Sequence, residues 1–299
     1  MITLALINTL ILLSIFGYSY FFKAVYLKDN SKIIKNIDFF YGFIFLYFLA
    51  LLLHLFAPLK YFSKFIIFIG ILAYIFGLIK GRFKINFFLY FIIIFLFSII
   101  SFSGSDNVDS PLYHLQIINW LTEYKLSFGI SNLQIRLGTN YPWYSIISIL
   151  NFDLNNFSNK YYINLIIFSF ILYEIVTCKK KNYSFIFFCI AISYLFFYSL
   201  VHPFKYGVIL NHFGNPEKDI FNMLLFFTFI YFYIYLFENL QNKDLSISDE
   251  NIINLVIITG VLLLMQSQMY VFILFLIFLS IFSFKNYKIF SKINIFLII

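Results

Sequence analysis

Long apolar segments separated by short polar ones run through the whole chain. Several of them approach the roughly 20 residues that an α-helix needs to cross the hydrocarbon core of a bilayer. The pattern predicts an all-α fold, a polytopic transmembrane helical bundle with about nine or ten spans. The apolar segments are residues 2–22, 39–57, 62–79, 85–103, 161–177, 184–201, 220–237, 252–265 and 269–284.

The composition excludes the other common classes of protein. The chain has 299 residues, of which 62% are hydrophobic and 11% are charged. Soluble domains carry about 25% charged residues, so a soluble enzyme, a disordered chain and a disulfide scaffold are all ruled out. The net charge of +8 is typical of lysine-rich membrane-protein loops, and it predicts no nucleic-acid partner.

Segment 141–151 is ambiguous, and the distribution of Lys and Arg decides between its two interpretations. If the segment does not span, 14 of the 21 Lys and Arg residues fall on one side and 7 on the other; if it spans, the division is 10 to 11. The positive-inside rule favours the first arrangement. Segment 141–151 is then a re-entrant or interfacial piece on the outer face, and the N-terminus lies outside.

Three regions follow from this topology. Residues 1–103 form four N-terminal transmembrane helices, and residues 104–160 form an outer-face loop with an interfacial helix and the re-entrant segment. Residues 161–299 form further transmembrane helices. The last residues, Ile293–Ile299, are apolar and stop after seven positions, which predicts a further span cut short at the C-terminus.

The two longest outer loops, 104–160 and 202–219, face the same compartment and hold most of the candidate chemistry. No glycine loop of the nucleotide-binding kind occurs in the sequence, so we expect any reaction to take place outside and without ATP. The ionisable residues of these loops include Asp106, Asp109, His114, Glu123, Arg136, His202, Lys205, His212, Glu217 and Asp219.

Asp109 is the best candidate for a general base. Ser110 suits a helix N-cap and Pro111 the first helical position. A carboxylate just before a helix N-terminus stays ionised and is held in place, as a base for an acceptor hydroxyl must be. The alternative is that Asp106 and Asp109 are ordinary loop acids that cap the helix.

The helix that follows is predicted to lie in the membrane interface, because one stripe of it is apolar and aromatic. This stripe is Tyr113, Ile117, Trp120, Leu121 and Tyr124.

Several basic side chains are candidates for a phosphate site. His114 has three open interpretations: a phosphate contact, a metal ligand beside Asp109, or a side chain that faces water. Arg136 either grips a lipid phosphate or snorkels as an anchor. His202 and Lys205 make the second loop capable of holding phosphate.

Within the spans, His54 and Glu174 are ionisable, and we interpret both as structural.

The stretch Asp109-Ser110-Pro111-Leu112-Tyr113-His114-Leu115-Gln116 resembles the first outer loop of the GT-C superfamily of membrane glycosyltransferases. It is more similar still to a bacterial GT-C-like group, the LIC_10190-type membrane proteins. Their pattern is Asp-x-x-Leu-Tyr-His-x-Gln (here the acidic motif, residues 109–116), then Gly-x-x-Asn-Leu, then Arg-x-Gly-x-Asn (the arginine motif, residues 136–140). The matching residues are Asp109, Leu112, Tyr113, His114, Gln116, Gly129, Asn132, Leu133, Arg136, Gly138 and Asn140.

The match weakens later in the chain. Pro216 and Asp219 fit a Ser-Pro-x-x-Asp pattern of that group, but Asn215 replaces the serine. Gln266-Ser267-Gln268 stands where the group has a basic residue, which argues against a phosphate contact there.

The resemblance implies a GT-C-like glycosyltransferase that crosses the bacterial inner membrane several times and is surrounded by membrane lipid. Its donor would be a polyprenyl-phosphate-linked sugar, and its acceptor a glycan or a lipid. Asp109, helped by Asp106, would be catalytic. Asp219 would orient the sugar or hold a divalent metal ion with Asp109, and no other cofactor is implied. Substrate-binding residues would be Tyr113, His114, Gln116, Arg136, Asn140, His202, Lys205 and Asp219.

Other functions stay open at this point. A glycan-lipid flippase or another transporter would need charged residues deep in the spans, and this chain has few. A polysaccharide polymerase of envelope glycan assembly also joins sugars outside, but its outer loops usually carry several arginines and here there is one. A purely structural membrane protein is the remaining alternative.

Overall fold

The chain is predominantly helical in the computed structural model, which describes residues 2–25, 33–101, 114–126, 141–151, 153–154, 157–158, 163–177 and 189. Within those residues a 3₁₀ turn, Asn36–Asp38, precedes the second helix, and a hairpin pairs β1 (Asp153–Leu154) with β2 (Phe157–Ser158). The helices are α1 (Ile2–Val25), α2 (Phe39–His54), α3 (Lys60–Ile79), α4 (Phe87–Ser101), α5 (Leu115–Glu123), α6 (Tyr141–Ile149) and α7 (Ile163–Thr177).

The predicted apolar segments and the observed helices agree closely where both are described. The first four segments and segment 161–177 correspond to α1, α2, α3, α4 and α7. The four later segments, 184–201, 220–237, 252–265 and 269–284, lie outside the described residues. The first segment was ended too early: Lys23, predicted to follow the first span, lies inside α1 and is buried.

Two of the described helices, α1 and α3, are long and apolar enough to cross a bilayer, and α2, α4 and α7 are shorter apolar helices. Among the described helices α1 is the central one, and it packs against α2, α3, α4 and α7. Its Phe16 ring contacts the rings of Phe39, Phe87 and Tyr90 edge-on, with centroids 5.7–5.9 Å apart. Edge-on aromatic pairs of this kind add to the stability that burial provides.

Glycines let the helices around α1 approach until their backbones touch. A Cβ atom added to Gly17 would lie 1.9 Å from the carbonyl oxygen of Gly70 in α3 and 2.8 Å from the backbone nitrogen of Tyr74. A Cβ on Gly42 in α2 would lie 2.1 Å from the carbonyl oxygen of Ile15. Small residues at such crossings are typical of helix packing in membranes, where close backbone contact replaces the hydrophobic effect.

Gly17→Ala is therefore expected to lower the thermal unfolding temperature in detergent, at a cost of about 1–3 kcal/mol, because the new methyl group meets backbone that no rotamer change can move. Gly77→Ala is the matched control. Its added Cβ would meet the side chains of Phe83 at 2.7 Å and Tyr20 at 3.1 Å, and rings can shift. Equal unfolding temperatures for the two variants would contradict the close crossing.

The bundle has two ends with different polar groups. At the α2–α3 end, the turn after His54 meets α5. At the opposite end, called the α1–α2 end, Ile34 forms a parallel β-bridge with Phe83. The α1–α2 end also holds a buried ion pair between Lys23 and Asp38, with 2.7 Å between Nζ and Oδ2.

Candidate functional site

The structure joins the acidic motif to the helix that directly follows the arginine motif. His114, the residue before α5, forms a hydrogen bond through Nδ1 with the Tyr144 hydroxyl of α6. Four residues further along both helices, the Ser148 hydroxyl donates to the carbonyl oxygen of Ile118 over 3.3 Å. The equal spacing means that α5 and α6 run side by side in the same direction.

Helix α5 presents one apolar face to the protein and one polar face outward. Ile117, Ile118 and Leu121 are buried, whereas Gln116 is exposed. Two residues of the predicted interfacial stripe, Ile117 and Leu121, are therefore buried, because α5 packs against α6. The rings of the other two described members of the stripe, Trp120 and Tyr124, contact each other at a tilt of 35°, with centroids 4.9 Å apart.

His114 and Gln116, both predicted to bind substrate, do not face the same way. His114 is only 3% exposed and bonds to Tyr144, whereas Gln116 lies on the exposed side of α5. Positions two apart on a helix diverge by about 200°. His114 thus contacts α6, whereas Gln116 lies on the outward side of α5.

The C-terminal end of α5 is fixed to the α2–α3 end of the bundle. The His54 ring pairs through Nε2 with the carbonyl oxygen of Tyr124 at 2.8 Å, and the backbone N–H of Leu126 donates to the carbonyl oxygen of His54 over 3.1 Å. Leu59 N–H donates to the Leu121 carbonyl oxygen over 3.4 Å. These bonds agree with a structural role for His54.

Glu123 was grouped with the outer acids, but in the structure it forms an exposed ion pair with Lys60 at the start of α3. Nine residues of helix, about 14 Å along the axis, separate it from His114. Glu123 therefore lies where α5 meets α3 and stands apart from the His114–Tyr144 contact.

Helix α6 is a short buried element. It has nine residues, so it is about 14 Å long, less than half of the roughly 30 Å hydrocarbon thickness. Trp143 and Tyr144 are fully buried, and α6 packs against α2, α3 and α5. The helix begins at Tyr141, immediately after Asn140 of the arginine motif.

The α1–α2 end carries polar contacts that the sequence did not reveal. The Asp38 carboxylate accepts hydrogen bonds from Lys23 and from the backbone N–H of Lys35, both over 2.7 Å. The Asn36 amide donates to the carboxylate of Glu174 and its oxygen accepts from the hydroxyl of Tyr90. This contact agrees with a structural role for Glu174. The sequence offered one signal for the Lys23–Asp38 pair: a lysine near the end of α1 and an aspartate just before α2 lie at the same end of two consecutive helices.

Most of the predicted site lies outside the described residues. In the part of the chain that the structure describes, no three His, Cys, Asp or Glu side chains come together as a group that could hold a metal ion. The residues outside are Asp106, Asp109, Tyr113, Arg136, Asn140, His202, Lys205 and Asp219.

Tyr144→Phe is expected to destabilise the protein by about 1–3 kcal/mol, because it leaves a buried polar atom of His114 without the hydroxyl that it bonds to. The unfolding temperature of the purified protein measures this. Tyr61→Phe is the control, because Tyr61 is exposed. A Tyr144→Phe chain as stable as the control would show that the His114–Tyr144 bond does not hold α5 on α6.

Comparison with known proteins identifies the family of the chain and nothing more specific. Residues 1–299 match the family model described as a domain of unknown function, DUF8201, and the protein belongs to this family. No curated protein and no solved structure matches the chain.

Proposed function

We propose that the protein is an integral membrane glycosyltransferase of the GT-C kind. It would transfer a sugar from a polyprenyl-phosphate donor to a cell-envelope acceptor at the outer face of a bacterial inner membrane. The observation that carries the proposal is the contact between His114 and Tyr144, because it joins the acidic motif to the helix that begins where the arginine motif ends.

The outward surface of α3 supports the membrane location. A stripe of large apolar side chains on α3 is exposed, and a soluble protein would place charged residues on such a face. Lys60 and Lys64 at one end of α3 and Lys80 at the other are exposed. Along the helix Lys80 lies about 30 Å from Lys60 and about 24 Å from Lys64, close to the thickness of the hydrocarbon core. The stripe consists of Phe65, Phe68, Leu72, Phe76 and Ile79.

The spacing of the two motifs relative to the His114–Tyr144 contact supports the chemistry. Asp109 precedes His114 by five residues, and Arg136 precedes the start of α6 by five residues. A short connection therefore links the proposed base, Asp109, to α5, and another links the proposed phosphate-binding residue, Arg136, to α6. These two helices pack together. A transfer reaction requires both groups at one substrate.

The proposed reaction is a single inverting displacement. The acceptor oxygen attacks the anomeric carbon and loses its proton to the Asp109 carboxylate, with Asp106 beside it. The bond between the anomeric carbon and the phosphate oxygen breaks, and polyprenyl phosphate leaves with the electron pair. Arg136, with Lys205 or His202, would neutralise the charge that develops on the phosphate.

The direct test is a turnover assay in vesicles that contain the full chain, a set of polyprenyl-phosphate sugars labelled in the sugar, and a set of cell-envelope glycans and lipids that can act as acceptors. The proposal predicts label in an acceptor and release of polyprenyl phosphate, neither of which occurs in empty vesicles. Movement of intact donor across the bilayer without release would favour a flippase instead. A chain that neither consumes nor moves any donor would contradict the proposed activity.

A further inference from the structure

Aromatic and basic side chains share one exposed surface at the α2–α3 end of the bundle. Two separate segments form it: the first turn of α3 and the C-terminal end of α5. The two segments are adjacent, because Lys60 pairs with Glu123 and the backbone N–H of Leu59 donates to the carbonyl oxygen of Leu121. The surface, called here the aromatic–lysine surface, consists of Lys60, Tyr61, Lys64, Trp120, Glu123, Tyr124 and Lys125.

The aromatic members of this surface are typical of a membrane–water interface. Tyr61 is 69% exposed and Tyr124 is 57% exposed. Tyr and Trp favour the headgroup region, where the ring meets the apolar layer and its polar tip meets water. The exposed apolar stripe of α3 begins at Phe65, one residue after Lys64, so the surface lies at the edge of that stripe.

The charges of the surface favour an anionic partner. It contains three lysines and one glutamate, and Glu123 is occupied by its ion pair with Lys60. Lys64 and Lys125 are exposed and carry the two remaining positive charges. Lysines beside interfacial aromatics can bind lipid phosphates while their alkyl stems lie along apolar surface.

We propose that the aromatic–lysine surface binds the headgroups of anionic phospholipids, with Lys64 and Lys125 contacting phosphate and Tyr61 and Tyr124 lying at headgroup depth. The proposal rests on the membrane location proposed above and not on the transferase activity. It gives α5, which carries His114 at its other end, a fixed depth relative to the bilayer surface. A lipid-linked donor would therefore meet the candidate site at a defined height.

The two tryptophans of the chain make this testable. Trp120 belongs to the surface, and Trp143 is fully buried in α6, so a Trp143→Phe chain reports from Trp120 alone. In vesicles of phosphatidylcholine and phosphatidylglycerol, with one lipid at a time carrying brominated acyl chains, we expect brominated phosphatidylglycerol to quench Trp120 with about three- to fivefold preference. Inorganic phosphate in the buffer should not reduce this preference, whereas a site for free phosphate would lose it.

The double change Lys64→Gln and Lys125→Gln should bring the preference close to one. The matched control, Lys80→Gln with Lys84→Gln, removes two exposed lysines beyond the other end of α3 and should leave it unchanged. If Trp143→Phe does not fold, the difference between the wild-type chain and Trp120→Phe isolates the same signal. If the double variant does not fold, the quenching of the Trp143→Phe chain is measured at high salt instead. The preference should then be lost, because salt screens contacts between exposed charges.

Each remaining outcome is decisive. Equal quenching by both lipids in the unchanged chain would overturn the anionic preference while leaving the membrane location intact. A preference that survives loss of both lysines would also overturn the proposal. Absence of quenching by either lipid would contradict the membrane location itself, and the turnover assay tests the transferase activity separately.

Discussion

Asp109→Asn is expected to abolish sugar transfer in the vesicle assay while leaving the amount of inserted protein unchanged. An amide cannot accept the proton of the acceptor hydroxyl, and loss of a general base typically lowers a rate by about 10²–10⁴-fold. The change replaces one side chain with another of nearly the same size, so stability should be preserved. The rate of polyprenyl-phosphate release, compared at equal protein, measures the effect.

Two variants make the Asp109 result specific. Glu123→Gln removes another acid of the same region, but Glu123 forms an exposed pair with Lys60, so near-normal transfer is expected. Asp106→Asn should give an intermediate loss, since Asp106 is proposed to assist Asp109. Undiminished product from the Asp109→Asn chain would remove the assignment of Asp109 as the base.

Asp38→Asn is expected to produce the largest loss of stability. The Asp38 carboxylate is 2.7 Å from the ammonium group of Lys23, with side-chain exposures of 1% and 7%. Removing one partner of a buried ion pair leaves an uncompensated buried charge and costs about 3–5 kcal/mol. The thermal unfolding temperature and the yield of monodisperse protein in detergent should both fall.

Two controls test whether the loss of stability comes from a buried charge that is left without its partner. Breaking the exposed Lys60–Glu123 pair with Glu123→Gln should leave the unfolding temperature nearly unchanged, because solvent screens exposed pairs. The double variant Lys23→Gln with Asp38→Asn should recover much of the stability lost in Asp38→Asn, since neither buried side chain is then charged. If the double variant were the less stable of the two, the uncompensated charge of Lys23 would not be the cause.

Several helices could be predicted from local sequence alone. Segments 39–57 and 62–79 correspond to α2 (Phe39–His54) and α3 (Lys60–Ile79), because a continuous apolar run ended by polar residues specifies a helix without reference to the rest of the chain. The lysine distribution predicted that segment 141–151 does not span the membrane, and the described helix within it, α6, has nine residues.

The partners of polar groups could not be predicted in the same way. Lys23 was assigned to a loop because lysine usually marks the end of a span, but Asp38, 15 positions away, draws it into the bundle. His54 meets Tyr124, 70 positions away. The partner of the apolar stripe of α5 was likewise undetermined, because such a stripe fits a lipid interface and a protein surface equally well.

Composition and the spacing of neighbouring residues are enough to predict that the chain is helical and apolar, and to name the residue types that are candidates for chemistry. They do not predict that His114 is buried against Tyr144 while Gln116 is exposed, or that Glu123 pairs with Lys60. Those outcomes depend on which helices pack together. Packing is set by the complementarity of whole faces, such as the glycine crossing at Gly17 and Gly70, which no local pattern encodes.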